Sequence, residues 1–191
     1  MYLIVGLGNP ESDYSNTRHN MGFDVINKLA EKYGIEINRN KYEGIYGSGN
    51  IGEEKVVLVK PQTYMNSSGK SICEFVRFYK IDLKNLIVVF DDMSIEKGKI
   101  RIRKQGSAGG HHGVESTIEY LGNSNFNRIR IGIGRPQGET QIVSYVLDPI
   151  SKDERKILDT GIEKGVLGVE EIIKKGIDIA MNDLNREGEK C

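Results

Sequence analysis

The run Leu86-Ile87-Val88-Val89-Phe90 has no polar alternation and stops on two acids, Asp91 and Asp92. A strand patterned this way is a central one, so other layers must cover both faces of its sheet. Tyr2 to Val5 and Lys55 to Val59, the latter ended by Pro61, read as further short strands. Met21 to Tyr33 places apolar residues at Met21, Val25, Leu29 and Ala30 and stops at Gly34, which predicts a helix. Ser67 to Tyr79 sets Ile72, Phe75, Val76 and Tyr79 on one helical face, and Val114 to Leu121 is also read as helix. Lys99 to Arg103 alternates, with Lys99, Arg101 and Arg103 opposed to Ile100 and Ile102. Arg128 to Ile133 repeats that pattern, with Arg128 and Arg130 opposed to Ile129, Ile131 and Ile133. In the tail, Ser151 and Glu154 form a capping-box pattern, and helical stretches follow at Val169 to Ile173 and Ile177 to Leu184. Strands interleaved with helices predict an α/β, three-layer fold with a central sheet flanked by helices and further helices at the C-terminus. Short connections make that sheet mixed.

The chain has 191 residues, enough for one well-buried core, so residues 1–191 are read as a single domain. Its formal net charge is zero, so any attraction for nucleic acid must come from a local patch. Glycine is abundant, at 23 residues, and falls mostly between the predicted elements, which suits tight turns and close approach of backbone to a ligand. Cys73 and Cys191 are too few for a disulfide framework and are read as reduced thiols. The opening Met1 to Val5 lacks the length and basic flank of a signal segment, and no apolar run approaches membrane-spanning length. A cytoplasmic location, with no membrane partner, is the expectation.

Chemistry-bearing residues gather where strands end. His19 follows the turn Gly6-Leu7-Gly8-Asn9-Pro10. Asn66 lies in Tyr64-Met65-Asn66-Ser67-Ser68-Gly69, and Asp91 ends the apolar strand. His111 and His112 close the glycine-rich stretch 106–110. Imidazole, carboxylate and primary amides in such places suggest hydrolysis by an activated water. Each has a plainer reading. His19 can cap or pack at a helix start, and Asp91 and Asp92 can cap their own turn. Gly6-x-Gly8 can be a tight turn with positive φ, a turn presenting Asn9, or the start of a dinucleotide fingerprint. Glu11 and Pro10 disfavour the last, because one repels a pyrophosphate and the other lacks a donor. Adjacent His111 and His112 point apart, and no His-x-x-x-His or Cys-x-x-Cys spacing supports a metal. The basic residues Lys97, Lys99, Arg101, Arg103 and Lys104 crowd one hairpin-like segment, and Arg128, Arg130 and Arg135 a later one. They read either as a solvated edge protected against aggregation or as a phosphate-contacting patch.

Taken in order, these blocks resemble the bacterial peptidyl-tRNA hydrolase family. The resemblance runs through Val5 to Pro10, Tyr14, Thr17 to Gly22, Lys60 to Gly69, Asp91-Asp92, Gly106 to Gly113 and Arg128 to Gly134, nearly the whole chain. It implies a monomeric α/β esterase, needing no metal or cofactor, that frees tRNA from peptidyl-tRNA dropped by stalled ribosomes. It implies His19 as the catalytic histidine and Asp91 as its supporting carboxylate. Asn9 and Asn66 then hold the peptide and organise the attacked carbonyl, with Asn66 the candidate oxyanion donor. Tyr14 and Met65 line the site, and Tyr64, His111 and His112 are taken with them as contacts to substrate or tRNA. Arg103 and Arg130, with Arg101 added, fall where the family clamps the tRNA 5′-phosphate. His112 departs from the family pattern, which has Asn there. The rival class is a non-catalytic RNA-binding protein of the same fold, which has no evident need for the set Asn9, His19, Asn66 and Asp91.

Overall fold

The computed structural model describes residues 1–138 and 141–186. Its strands are β1 (Tyr2–Gly6), β2 (Arg39–Lys41), β3 (Gly44–Ile51), β4 (Glu54–Pro61), β5 (Leu86–Asp92), β6 (Ile100–Arg103) and β7 (Asn127–Gly132). The helices are α1 (Met21–Tyr33), α2 (Ser68–Tyr79), α3 (His112–Leu121), α4 (Ile142–Leu147), α5 (Lys152–Lys175) and α6 (Ile177–Asn185). The strands form one sheet in the order β2-β3-β4-β1-β5-β7-β6. Strands β4, β1, β5 and β7 run parallel, while β2, β3 and β6 pair antiparallel at the two edges. The expected α/β architecture with a mixed central sheet is the one observed.

The apolar run of β5 lies in the middle, as its pattern requires, and its alternate residues enter two separate cores. Ile87 and Val89 pack with α1 and α5, whereas Leu86, Val88 and Phe90 pack with α2 and α3. Each such side chain taken out of water contributes about 1.5–3 kcal/mol, and because the run is apolar on both faces β5 feeds both cores at once. Helix α1 ends as its sequence predicts: Gly34 takes φ 63° and its N–H reaches the carbonyls of Ala30 and Glu31.

Two glycines set how closely the site is drawn together. A Cβ on Gly6 would overlap the Gly22 carbonyl, and one on Gly22 would overlap Val89 and Leu7. The end of β1, the start of α1 and the end of β5 therefore touch through backbone. Gly6 is not in a positive-φ conformation, so close approach rather than a tight turn explains it.

Five features depart from the expectations. Residues 39–51 form the hairpin β2–β3, whose turn residues Tyr42 and Glu43 both have positive φ without an Asn-Gly signal to announce it. Helix α4 carries no cap or long periodic pattern and was not anticipated. The tail from Lys152 is one 24-residue helix, continuous through Gly161, Gly165 and Gly168, where the missing side chains let α5 lie close on Ile129 and Ile131. The Ser151 hydroxyl caps it through the Glu154 N–H, but the Glu154 side chain goes elsewhere, so the capping box is only half made. Strand β6 is not half of a hairpin: it returns across α3 to pair with β7. The outer backbone of β6 is closed by α6, where the Asn185 amide accepts from Ile102 N–H at 2.8 Å and donates to its carbonyl at 3.0 Å. Cys73 is a buried free thiol, and Cys191 lies outside the described residues.

Candidate active site

Because β4, β1 and β5 are parallel neighbours, the segments that follow them emerge at one edge of the sheet. A 3₁₀ turn, Arg18–Asn20, leads into α1 and carries His19. Asp91 is buried at the end of β5. His19 Nδ1 lies 2.9 and 3.0 Å from the two Asp91 oxygens. The carboxylate can only accept there, so Nδ1 carries the proton and Nε2 keeps the lone pair. Burial disfavours a charged imidazole, but the Asp91 charge and hydrogen bond outweigh it and raise the His19 pKa above its ordinary value. Burial likewise opposes the Asp91 anion, yet the two imidazoles beside it hold its carboxyl well below the usual range.

The second imidazole belongs to His111, whose Nε2 lies 3.0 Å from Asp91 Oδ1. His111 is the N-cap of α3, and its Nδ1 accepts the N–H groups of Gly113 at 3.2 Å and Val114 at 3.4 Å. Helix α3 thus fixes the tautomer, with the proton on Nε2 and directed at Asp91. Its ring also meets Phe90 edge-on, with centroids 5.0 Å apart. Expected among the tRNA contacts, His111 instead turns inward and braces Asp91. His19, Asp91 and His111 also offer ligand atoms within 4.8 Å of one another, a conceivable metal site. An ion on His111 Nε2 would push the ring proton onto Nδ1, against two N–H donors, so the set suits a hydrogen-bonded relay better.

Asn9 is half-buried on the loop after β1, and Tyr14 is half-buried in the short turn Ser12–Tyr14, between that loop and His19. Met65 is buried, with Gly113 against its sulfur, which links the 65–67 turn to the start of α3. Asn66 is exposed on that turn, and Tyr64 stands out at 76% exposure. His112 does not join the group. It faces outward on α3 and pairs with Glu115 at 3.2 Å, which follows from its position next to the inward-turned His111.

The arginines divide. Arg103, Arg128 and Arg130 line one cleft with Phe90, Asp92 and Gly106, and only Arg103 and Arg130 reach its open side. Arg130 is not free in solvent: its Nε donates to Asp92 at 2.7 Å and its Nη2 to Ser94 at 3.3 Å. Arg101 turns away to α6, donating to the Asn185 carbonyl at 2.6 Å, and does not line that cleft. Arg128, expected on the same solvent face, is only 2% exposed and donates to the Ser107 and Ser124 carbonyls at 2.7 Å each. The alternation was read correctly, but pairing with β6 places β7 inside the sheet, where loop 105–109 covers the lower arginine.

Arg18 and Asn20 flank His19 within the block Thr17 to Gly22. Arg18 grips Glu154 with Nε at 2.8 Å and Nη2 at 2.6 Å, donates Nη1 to the Tyr145 carbonyl at 2.7 Å, and stacks on the Tyr145 ring at 4.0 Å. Burial opposes the Glu154 charge, but Arg18 and Lys97 more than compensate and lower its pKa. The signal available was an arginine beside an apolar helix start; its partner 136 residues away was not readable.

Fold and site define a class: an α/β enzyme with an imidazole–carboxylate pair at the carboxyl ends of parallel strands and a basic cleft on the same sheet. The chain belongs to the peptidyl-tRNA hydrolase family, whose model matches residues 3–190. It is 51% identical over 185 residues to a peptidyl-tRNA hydrolase of Clostridium botulinum (strain Hall), over 97% of each chain. That of strain Alaska E43 is also 51% identical, over 97% of this chain and 96% of the other. The crystal structure of peptidyl-tRNA hydrolase from Acinetobacter baumannii superposes with a TM-score of 0.91 at 38% identity, covering 97% of this chain and 94% of that one. This chain is accordingly a hydrolase of that family.

Proposed function

We propose that this chain hydrolyses the ester joining a peptide, or an N-blocked aminoacyl group, to tRNA, with His19 as general base. Family membership carries the reaction, hydrolysis of peptidyl-tRNA. The observation that carries the mechanism is His19 Nδ1 held by the buried Asp91 carboxylate, which leaves Nε2 to take a proton from water. As water attacks the ester carbonyl, Asp91 stabilises the imidazolium, and His19 then gives the proton to the departing ribose oxygen, which leaves as the hydroxyl. His111 keeps Asp91 in place. Asn66, exposed on its turn, is the candidate donor to the oxyanion. Asn9 takes the substrate's amide, and Tyr14, Tyr64 and Met65 line its path. An aminoacyl-tRNA whose α-amine is unblocked, with a cation in place of that amide, is a poorer substrate because amide donors cannot compensate it.

The cleft with Arg103 and Arg130 is assigned to the tRNA 5′-phosphate. The sheet register supports this: Arg101 lies opposite Arg130, and Arg103 opposite Arg128. Like charges directly across a ladder are destabilising, a cost that an expected anion offsets. Arg101 and His112 serve at most the periphery. The enzyme works as a monomer in the cytoplasm, where peptidyl-tRNA arises. Among the described residues no helix is long and apolar enough to cross a membrane. Turnover of an N-acetylated aminoacyl-tRNA by wild type and by His19→Ala tests the reading. Binding without turnover in the wild type would favour a non-catalytic RNA-binding protein.

A further inference from the structure

The turn that carries His19 sends three consecutive side chains to three different places. Arg18 goes to Glu154 and Tyr145, His19 to Asp91, and Asn20 to the loop after β1. Asn20 takes no part in the chemistry above, yet it is only 3% exposed. Its Oδ1 accepts the Asn9 N–H at 2.8 Å, and its Nδ2 donates to the Asn9 carbonyl at 3.0 Å. A primary amide presents acceptor and donor side by side, so it pairs with both backbone groups of one residue as a neighbouring strand would. Asn20 also occupies the N-cap position of α1, where Asn is among the favoured residues, but its side chain makes no cap bond. The amide is diverted from the role its position suits to a loop 11 residues earlier in the chain.

We propose that Asn20 is a positioning residue for substrate selection. It pins the Asn9 backbone at both polar groups and so sets the direction of the Asn9 carboxamide relative to His19, the residue just before it on the same turn. The proposal rests on the reading of Asn9 as the group that takes the substrate's amide.

Asn20→Asp tests it with almost no change of shape. As a carboxylate, position 20 still accepts from the Asn9 N–H but sets a second oxygen against the Asn9 carbonyl. As a carboxylic acid it regains the donor and reproduces the native pairing. Ionisable groups on the turn itself and on the elements packed against it are Arg18 and His19, then Asp24, Lys28, Glu31, Lys32 and Tyr33 of α1, Asp91 and Asp92 of β5, and Tyr145 of α4. At about pH 8, kcat/KM for N-acetylated aminoacyl-tRNA should fall about 10- to 100-fold, mainly through KM. Relative to wild type, the deficit should shrink as pH is lowered toward about 5.5, although wild type itself slows there as His19 protonates. Asn9→Ala should show the same KM loss with no recovery in acid, and the double variant should be no worse than Asn9→Ala. A costly Asn9→Ala beside an Asn20→Asp that matches wild type, or whose deficit ignores pH, overturns this proposal alone. A harmless Asn9→Ala overturns the Asn9 reading and this one with it. The wild type supplies a check that does not depend on the variant folding. The Asn9 amide should exchange its hydrogen at least about 100-fold more slowly than in an unstructured chain, and an unprotected amide there would overturn the proposal.

Discussion

Replacing Asp91 by Asn separates the geometry of the relay from its charge. His111 Nδ1 is occupied by two N–H groups of α3, so its Nε2 must remain a donor. The new amide will therefore give its oxygen to His111 and turn its NH₂ toward His19. That NH₂, at the Oδ2 position 3.0 Å from His19 Nδ1, opposes an Nδ1–H and favours moving the His19 proton to Nε2, which is the wrong tautomer for a base. The imidazolium formed in the reaction also loses a charge-assisted hydrogen bond of about 1.5–3 kcal/mol, which alone is roughly 10- to 150-fold in rate. With the tautomer change added, kcat should fall by about 10²–10⁴-fold, with KM little altered. The pH profile supplies an independent reading. Activity needs neutral His19, so it rises as pH climbs through the His19 pKa. Asp91 holds that pKa above its ordinary value against burial, so the acid limb of the wild type should lie above pH 6.5. In Asp91→Asn the limb should move to lower pH, since burial is then opposed by no neighbouring carboxylate. The assay is kcat/KM for N-acetylated aminoacyl-tRNA across pH, with circular dichroism to confirm the fold. A variant within about threefold of wild type, with its acid limb unmoved, would refute the relay.

His19→Ala should lose about 10²–10⁴-fold in turnover with substrate binding kept, and adding Asp91→Asn should cost little more; multiplicative losses would mean that Asp91 acts elsewhere. Arg103→Ala and Arg130→Ala should raise KM for full tRNA and flatten its salt dependence. Neither should slow cleavage of an N-blocked aminoacyl ester on a short 3′ fragment, and equal losses on both substrates would remove the phosphate assignment. Arg128→Met should behave differently, lowering stability in urea melts by about 1.5–3 kcal/mol because the Ser107 and Ser124 carbonyls lose a charged donor; a neutral effect would count against these bonds holding loop 105–109 in place. Glu154→Gln should cost about 1–3 kcal/mol at neutral pH. The pKa of Glu154 is lowered on folding, so its contribution is present above the unfolded value and lost as pH falls through the folded one. The variant should therefore close the gap to wild type in acid, and a gap constant with pH would show that the Arg18–Glu154 charge pair is not its source.

Much of the architecture is local information. The apolar run of β5, the spacing of α1 and its Gly34 stop each follow from a period or a cap within a few residues, and these elements stand where the sequence predicts them. The hairpin β2–β3 was illegible because Tyr42 and Glu43 adopt positive φ under tertiary pressure, against the preference of their own side chains. The site residues were legible as a list of polar groups at strand ends, and their likeness to a family's motifs supplied roles. Who touches whom was not. His19 and Asp91 are 72 residues apart, and only the parallel pairing of β1 and β5, closed over Gly6 and Gly22, brings them within 3 Å. The same alternation put four arginines on one face, but the antiparallel return of β6 decided that Arg101 goes to α6 and that Arg128 lies buried in the floor of the cleft, while Arg103 and Arg130 reach its open side. Residue type and spacing constrain backbone conformation over a turn or a strand. Contacts between distant segments depend on how whole layers pack, and that is written in no single stretch of the chain.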